Sequence, residues 1–341
     1  MAIRVGIITY TNKTSGIGMF GYDFWKYLGA DSILSVASRE KGQEIWTKRQ
    51  GTAQRPPSQR SILEYFDKFK PDVVMFLETP FNDAIYTLAP QRGIKTVAIP
   101  MHETFSAKRL AADLLICTCQ NAWDKTKTAN KELLFLPIGI SDFPYKERSG
   151  HAFVMNIGYG VHADRRQSRV VVEAFKKLKD PDAKLILYAQ EKWPGGLIFD
   201  DPRIEKHLGG SKNPWDNYEK GDILLAPMGF EGYGRTVLEG MACGMPVLTT
   251  NADPMNLFQH DKDLLIEPCR KFNYNGQWVR NTVFNEVSIE DMYNKLKWLL
   301  TIDTPKYSRW ARCQAEAQSW EFSNIDYKTV WYNTLEKLCR K

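Results

Sequence analysis

Residues 223–250 carry the pattern that decides the fold, and they read ILLAPMGFEGYGRTVLEGMACGMPVLTT. The apolar run Ile223–Ala226 predicts a buried β-strand, which a glycine-rich stretch follows. Residues 235–243 form an amphipathic pattern that predicts a helix, ended by a glycine and a proline. Val247–Thr250 begins the next strand. The stretch therefore predicts part of a parallel α/β sheet, in which a glycine loop leads into a helix.

Two carboxylates bracket this glycine loop and the start of the predicted helix. Glu231 precedes the helix and Glu239 lies eight residues later, roughly 12 Å away at the rise of an α-helix. The N–H groups at a helix start lack intrahelical partners and, with the helix dipole, favour an anion such as a diphosphate. Carboxylates accept hydrogen bonds from hydroxyl groups. One carboxylate can therefore hold a sugar and the other a ribose, joined through a diphosphate.

The run EGYGRTVLEGMACGMPV, residues 231–247, resembles the E-x7-E signature of retaining GT-B glycosyltransferases of family 4. The resemblance implies that Glu231 acts in catalysis by holding the donor sugar, and that Glu239 holds the ribose. It implies donor-binding roles for the residues between the two, which are Gly232, Tyr233, Gly234, Arg235 and Thr236. The donor would be a nucleoside diphosphate sugar, used as a co-substrate, and no separate cofactor is expected.

The same resemblance predicts a catalytic histidine in the first half of the chain. His102 follows the apolar run Thr96–Pro100, which predicts a strand. Ligands of α/β sheets bind at the carboxyl ends of strands. The family has a histidine near this point, close to the reactive carbon of the sugar, so the resemblance implies that His102 orients the sugar.

A basic segment at the start of the second half resembles the family's diphosphate-binding site. Counting back from Ala174 puts Arg166 where the family has a lysine. An arginine here can stabilise the charge that develops as the nucleoside diphosphate departs, so Arg166 is predicted to be catalytic. Tyr159 replaces an arginine of the family pattern. Arg165 or Arg169 is expected to compensate, and Arg165 is the predicted donor-binding residue.

The glycines of residues 16–21, GIGMFG, support two interpretations. The family resemblance assigns Gly16 and Gly18 to a loop near the donor phosphates. The G-x-G-x-x-G match also fits a Rossmann dinucleotide site, which would make the protein an NADP-dependent oxidoreductase with Arg39 on the 2′-phosphate. Residues 11–15 separate the first predicted strand from the first glycine. The dinucleotide fingerprint instead needs its first glycine at the strand end.

Composition and charge limit the class of protein and its partners. The apolar and charged fractions are those of an ordinary globular protein. The six cysteines form no C-x-x-C pair and no signal peptide is evident, so we expect a cytoplasmic protein. Residues 1–150 contain 20 Lys and Arg residues against 15 Asp and Glu residues, within a net charge of +6 for the chain. This asymmetry favours an anionic partner for the first half.

Alternating predicted strands and helices in two halves indicate an α/β protein with a GT-B fold. This fold consists of two Rossmann-like, doubly wound domains facing a cleft. The predicted acceptor-side domain spans residues 1–145, and the nucleotide-sugar-binding domain spans residues 152–318. Residues 319–341 are predicted to form a terminal helix that crosses back to the first domain.

Four shorter segments carry local predictions. A helix is predicted over Pro80–Arg92, and a polar, basic loop over Arg39–Arg60. Trp215–Tyr218 is expected near the nucleotide base. Asp261–Lys262–Asp263 matches the D-x-D pattern of metal-dependent glycosyltransferases. We interpret it as a surface turn and predict no metal site.

The predicted function is retaining transfer of a sugar from a nucleoside diphosphate sugar to an acceptor hydroxyl. The preferred acceptor is a hydroxymethylated base in viral DNA, because a basic first half suits a polyanion. Four alternatives remain open: a lipid or cell-envelope glycan acceptor, the NADP-dependent oxidoreductase, a non-catalytic module that binds nucleic acid or a membrane surface, and a nucleotide-sugar 2-epimerase. No stable protein partner is predicted.

Overall fold

A computed structural model describes residues 3–13, 15–37, 43–127, 132–158, 164–276, 279 and 281–340. The chain divides into two compact units. The first unit consists of residues 1–139 and 324–341, and the second unit consists of residues 140–323. The sequence predicts the break between residues 145 and 152, and the returning segment from residue 319.

Parallel sheets form the centre of both units. The strands, in chain order, are β1 Val5–Thr9, β2 Ser32–Val36, β3 Gln50–Ala53, β4 Val73–Leu77, β5 Lys95–Ile99, β6 Leu114–Cys117, β7 Glu132–Phe135, β8 Phe153–Gly158, β9 Leu185–Ala189, β10 Ile204–Leu208, β11 Ile223–Ala226, β12 Val247–Thr250, β13 Leu265–Ile266, β14 Arg270–Tyr274 and β15 Thr282–Glu286. Within the described residues, the first unit has the sheet order β3-β2-β1-β4-β5-β6-β7, and the second has β10-β9-β8-β11-β12-β13. Strands β14 and β15 form an antiparallel hairpin.

The helices connect these strands and cover the sheets. In chain order they are α1 Gly16–Asp23, α2 Gln59–Phe69, α3 Ile85–Leu88, α4 Gln120–Thr126, α5 Ser168–Lys176, α6 Arg235–Ala242, α7 Ile289–Leu299, α8 Thr304–Ala317 and α9 Tyr327–Arg340. Every residue of β1, β4, β11 and β12 is buried, as is typical of parallel strands covered on both faces. None of the described helices is both long and apolar enough to cross a membrane.

In both sheets the strand order reverses at one point. The chain proceeds from β1 outward through β2 and β3 on one side, and returns through β4 to β7 on the other. The second sheet repeats this arrangement with β8 to β10 on one side and β11 to β13 on the other. The prediction of two doubly wound, Rossmann-like domains is confirmed.

Helix α9 belongs to the first unit although it comes last in the sequence. Trp331 is fully buried and packs edge-to-face on Phe24, with 4.8 Å between ring centroids. Its indole N–H donates a hydrogen bond to the carbonyl oxygen of Pro137 at 3.2 Å. A large buried aromatic ring with a satisfied N–H stabilises this packing strongly.

Two local predictions in the first unit are wrong. The predicted helix Pro80–Arg92 is α-helical only over Ile85–Leu88, and a 3₁₀ turn follows at Pro90–Arg92. Phe81 has φ of 60°, in the left-handed region that a right-handed helix excludes. The predicted loop Arg39–Arg60 contains β3, which pairs in parallel with β2. Its short sequence, QGTA, lacks the apolar alternation that predicts a strand.

Arg148 lies between residues 145 and 152, where the sequence predicts the break between the two domains. It holds several loops of the second unit in place. Its side chain is buried, and its guanidinium donates to the carbonyl oxygens of Tyr218 at 2.7 Å and Gly221 at 2.8 Å. It also donates to the carbonyl oxygens of Glu219 and Cys243, both at 3.1 Å. Burial lowers the pKa of Arg148 from its ordinary value. One cation thus donates to four backbone carbonyl groups.

We expect Arg148→Met to destabilise the protein by about 3–5 kcal/mol, because it leaves several buried carbonyl groups without donors. The control is Arg309→Met, which removes an exposed arginine that pairs with Glu147 and should change stability by about 0.5 kcal/mol or less. Urea unfolding of both variants measures the difference. Equal midpoints for the two would contradict the role given to Arg148.

Candidate active site

Except for Gly16 and Gly18 of the first unit, the residues predicted to bind the donor lie in the segments that follow β8 and β11 of the second sheet. β8 and β11 are neighbours in this sheet, and the chain leaves them in opposite directions, toward β9 and toward β12. A reversal of this kind opens a crevice beyond the carboxyl ends of the strands, where ligands of open α/β sheets bind. The segments that follow β8 and β11 carry Arg165, Arg166 and Glu231.

Arg165 and Arg166 lie in the turn that precedes α5, and hydrogen bonds fix the backbone of this turn. Asp164 accepts hydrogen bonds from the backbone N–H groups of Ser168 and Arg169, each at 2.8 Å. The φ angles of Asp164 and Gln167 are 48° and 56°, so the turn contains two left-handed residues. Tyr159, which replaces an arginine of the family pattern, belongs to residues 159–163, and these lie outside the described residues.

Gln167 ties this turn to the segment after β11. The side chain is buried, and its Nε2 donates to the carbonyl oxygens of Pro227 at 2.7 Å and Asn285 at 3.0 Å. The backbone N–H of Gly229 donates to the carbonyl oxygen of Arg165 at 2.7 Å. The loops after β8 and β11 are therefore fixed relative to each other.

Glu231 lies between the two arginines. Its Oε1 is 3.3 Å from Nη1 of Arg165, and its Oε2 is 2.9 Å from Nη1 of Arg166. The guanidinium of Arg165 also lies over the ring of Phe230, 5.8 Å from its centroid. The sequence prediction placed Glu231 on the sugar and the arginines on the diphosphate. The structure adds direct ion pairing among the three.

The surroundings of Arg166 keep its charge in a poorly hydrated position. Burial lowers the pKa of Arg166 from its ordinary value, and the charge of Glu231 opposes this effect. Nη1 of Arg166 lies 3.4 Å from the hydroxyl of Thr236 and also contacts the sulfur of Met228. A buried cation interacts with an anionic ligand more strongly than a solvated one does, because the local dielectric constant is lower.

The described start of α6 corrects the geometry predicted for the two glutamates. The helix begins at Arg235, with Gly234 as its N-cap at φ of 84°. This left-handed angle strains any residue other than glycine. Glu231 lies four residues before the helix, so only half of the interval to Glu239 is helical. The predicted distance between the two carboxylates assumed helical rise over all eight residues, and that assumption is wrong.

Two polar side chains hold Glu239 in one position. Nε of Arg235 donates to Oε1 of Glu239 at 2.7 Å, and the hydroxyl of Tyr218 donates to Oε2 at 2.8 Å. Arg235 also lies 3.4 Å from the hydroxyl of Ser141. Direct contact of Arg235 with the donor stays a prediction, and the role that the structure shows is to orient Glu239.

The other predicted donor-binding residues of this loop have structural contacts of their own. The backbone N–H of Gly232 donates to Oε1 of Glu231 at 3.3 Å. Tyr233 is buried and packs edge-to-face on Phe258, with ring centroids 5.2 Å apart. The part of the loop that follows Glu231 is therefore held in place by contacts of its own.

The hairpin β14–β15 supports the Glu231 loop, and the sequence analysis missed it. Phe230 stacks on Tyr274 and meets Phe284 edge-to-face, with centroid distances of 5.5 and 5.8 Å. Asn285 donates to the carbonyl oxygen of Gly229 through its backbone N–H at 2.8 Å and its Nδ2 at 3.0 Å. The alternation of aromatic and polar residues in RKFNY and TVFNE is the signal that predicts such a hairpin.

In the first unit, the two predicted glycines differ in their surroundings. Gly16 is exposed at the start of α1. Gly18 is buried, its N–H donates to the hydroxyl of Ser15 at 3.1 Å, and an added Cβ would lie 1.8 Å from the carbonyl oxygen of Asn12. Gly18 thus has a packing role, and its amide is used by the helix cap. Residues 10–15 separate β1 from α1, which does not fit the dinucleotide fingerprint.

His102 lies at the carboxyl edge of the first sheet, where the sequence predicts it. It is buried and begins a 3₁₀ turn directly after the segment that follows β5. Its Nδ1 is 3.7 Å from a carboxylate oxygen of Glu103, and its carbonyl oxygen accepts from Nζ of Lys125 at 2.5 Å. Burial lowers the pKa of Lys125, with the charge of Glu103 opposing. Arg39, the residue assigned to a 2′-phosphate, lies outside the described residues.

The D-x-D segment forms the turn that the sequence predicts. Asp261 accepts a hydrogen bond from the backbone N–H of Asp263 at 2.9 Å and caps the 3₁₀ turn Lys262–Leu264. Strand β13 follows directly. Across the described part of the chain, no cluster of three or more His, Cys, Asp or Glu residues is arranged to hold a metal ion.

A comparison with known protein families finds a match for part of the second unit. Residues 153–272 match the family described as Glycosyl transferases group 1. The matched region covers about a third of the chain and contains Arg165, Arg166, Glu231 and Glu239. No curated protein sequence matches the chain.

Solved structures of glycosyltransferases match the fold over nearly the whole chain. Sucrose-phosphate synthase from Thermosynechococcus elongatus has a TM-score of 0.73 at 12% identity, over 98% of this chain and 99% of that one. HepE from Anabaena, in complex with UDP and glucose, has a TM-score of 0.65 at 11% identity, over 98% and 99%. The lipopolysaccharide outer core galactosyltransferase WaaB has a TM-score of 0.62 at 13% identity, over 98% and 99%. The predicted GT-B fold class is confirmed.

Tyr218→Phe tests whether the hydroxyl on Glu239 prepares the site for a nucleotide. Removing this hydrogen bond frees the carboxylate to turn away, so affinity for a nucleoside diphosphate should fall about three- to tenfold. Tyr188→Phe is the matched control, because Tyr188 is a half-buried tyrosine of β9 stacked on His207. Calorimetric titration measures both variants. Equal affinities for them would contradict a positioning role for Tyr218.

Proposed function

We propose that this protein is a retaining glycosyltransferase that uses a nucleoside diphosphate sugar as donor. The observation that carries the proposal is the convergence of two carboxylates and two buried or half-buried arginines at the reversal point of the second sheet. Glu231, Glu239, Arg165 and Arg166 all lie there, within the region that matches the Glycosyl transferases group 1 family. In this proposal the two arginines bind an anion and the two glutamates bind hydroxyl groups, and all four lie near α6.

Each group has a chemical role in this proposal. Arg165 and Arg166 neutralise the diphosphate as it leaves, aided by the backbone at the start of α6. Glu231 accepts hydrogen bonds from the sugar hydroxyls, and Glu239 accepts them from the ribose. Retention follows if the acceptor attacks the face from which the diphosphate departs, with a donor phosphate oxygen taking the proton. In that case NMR of the product should show the anomeric configuration of the donor.

His102 supplies the contribution of the first unit. Its location beyond the carboxyl end of β5 is the edge at which ligands of α/β sheets bind. In the proposal it orients the sugar, and Lys125 holds its backbone in place. HepE from Anabaena is solved in complex with UDP and with UDP-glucose, so uridine donors are the first to test here.

A thermal-shift screen against nucleotide sugars tests the donor proposal. A true donor at about 100 times its Kd should stabilise the protein by about 2.7 kcal/mol. Glu239→Gln should lose about 1.5–3 kcal/mol of binding energy, because a charge-assisted bond to the ribose is lost. Gln is preferred to Ala because its amide oxygen can still accept the hydrogen bond from buried Arg235. A panel in which no nucleotide sugar stabilises the wild type would refute the proposal.

We propose that transfer requires no metal ion, since arginines and backbone amides neutralise the diphosphate. Activity should therefore persist in excess chelator. Loss of activity in chelator, restored by magnesium or manganese, would contradict the proposal. Asp261 and Asp263 would then be the residues to substitute first.

For the acceptor we propose a polyanion, with DNA that carries a hydroxymethylated base as the preferred case. The support is the positive charge of the first half of the sequence and the exposure of Lys48, Arg49 and Arg55 beside β3. Arg39 and Lys41 of the same segment lie outside the described residues. Because the acceptor atom belongs to a base, the base must also be exposed or flipped. An anionic lipid or cell-envelope glycan is the alternative.

Salt dependence separates these acceptors. Binding to duplex DNA should weaken with a log–log slope of about 0.9 per phosphate contacted between about 50 and 200 mM salt. Combining Lys48→Glu with Arg55→Glu should lower both affinity and slope, whereas Lys184→Glu, an exposed control in the second unit, should change neither. Weak, salt-insensitive binding to DNA together with tight binding to anionic vesicles would refute the DNA acceptor.

A further inference from the structure

The pairing of Glu231 with both arginines has a consequence for ligand binding. The contacts of 2.9 and 3.3 Å place the carboxylate directly on Nη1 of Arg166 and of Arg165, the two guanidinium groups that the proposed function assigns to the diphosphate. The side chains of Glu231 and Arg166 are only 13% and 14% exposed. A carboxylate and a phosphate are similar acceptors for guanidinium groups, and both bind at short N–H···O distances. Glu231 therefore occupies donors that a diphosphate would use.

Nη1 of Arg166 shows this competition most clearly. It contacts Oε2 of Glu231, the hydroxyl of Thr236 and the sulfur of Met228. Its hydrogen bonds go to Thr236 and Met228, and its contact with Oε2 of Glu231 is an ion pair. The thioether is a weak acceptor. Glu231 is thus the charged partner with which an incoming diphosphate competes for this guanidinium.

We propose that Glu231 is an internal competitor that makes the site favour the complete donor over the free nucleoside diphosphate. This inference rests on the proposed function, which assigns the arginines to the diphosphate. A nucleotide sugar provides hydroxyl groups for Glu231, so the carboxylate has new partners when it leaves the arginines. A nucleoside diphosphate lacks the hydroxyls of the donor sugar and pyrophosphate has no hydroxyl group, so Glu231 gains no new partner when either one displaces it from the arginines. The product is thereby bound less tightly than the donor, which promotes its release.

Glu231→Gln tests the inference with a probe that contains no sugar. The amide keeps the shape of the side chain but has no charge to hold the arginines. Affinity for inorganic pyrophosphate should rise about tenfold or more, because a charge in contact with the binding groups is removed. The affinity ratio between a nucleotide sugar and its nucleoside diphosphate should fall at the same time. Calorimetry at one fixed salt concentration measures both quantities.

Two control variants separate displacement from general effects of charge removal. Asp201→Asn removes the carboxylate of another ion pair in the second unit, with Arg203, whose side chains are 12% and 17% exposed. That pair precedes β10, at the amino edge of the sheet, so pyrophosphate affinity should not change. Glu239→Gln removes a nearby charge that pairs with Arg235 instead. Its effect on pyrophosphate binding should be clearly smaller than that of Glu231→Gln.

The outcomes distinguish this inference from the proposed function. If the wild type binds nucleotide sugars and Glu231→Gln binds pyrophosphate no better than the wild type, the inference is wrong and the proposed function stands. A rise that Glu239→Gln reproduces in full would also overturn it, because displacement would then be unnecessary. If neither the wild type nor Glu231→Gln binds pyrophosphate or any nucleoside diphosphate, both are refuted. Arg166→Gln should abolish binding of pyrophosphate in either background.

Discussion

The side chain of Gln167 is the contact on which the candidate site depends. It hydrogen-bonds the carbonyl oxygens of Pro227 and Asn285 and accepts from the backbone N–H of Val287 at 2.7 Å. The turn before α5, the loop after β11 and the hairpin β14–β15 are thereby held together by one buried amide. Because buried polar groups left without partners destabilise a protein, these three segments keep a single arrangement. That arrangement places Arg165 and Arg166 against Glu231.

Fixed charges of this kind suit a site that must stabilise a leaving anion. Electrostatic stabilisation is most effective when the groups are already oriented, so that little reorganisation accompanies reaction. Glu239 is held by Arg235 and Tyr218, and the backbone of Tyr218 is held in turn by Arg148. Both carboxylates of the candidate site are thus positioned by buried or partly buried cations. Competition between Glu231 and a diphosphate follows from the same preorganisation.

The sequence predicts the parts of this structure that depend on local pattern. The strands Ile223–Ala226 and Val247–Thr250 are confirmed to the residue, because buried parallel strands are continuous apolar runs between glycines and prolines. The helix between them ends one residue earlier than predicted. Arg165, Arg166 and Glu231 lie together because they follow the adjacent strands β8 and β11, and their roles toward a donor stay predictions.

The contacts that position these groups were not predictable from one sequence. Gln167 adopts a left-handed angle that its residue type gives no reason to expect. The partner of Tyr218 is 21 residues away and depends on packing between elements. The helix predicted over Pro80–Arg92 was wrong and strand β3 was missed because the tertiary structure overrides local propensity in both segments.

A crystal structure with a bound nucleoside diphosphate tests the central claim most directly. The account predicts the diphosphate between the guanidinium groups of Arg165 and Arg166 and the start of α6, with the ribose on Glu239 and Glu231 withdrawn from both arginines. A diphosphate bound instead at residues 16–21 of the first unit, with the Glu231 pairs intact, would contradict it.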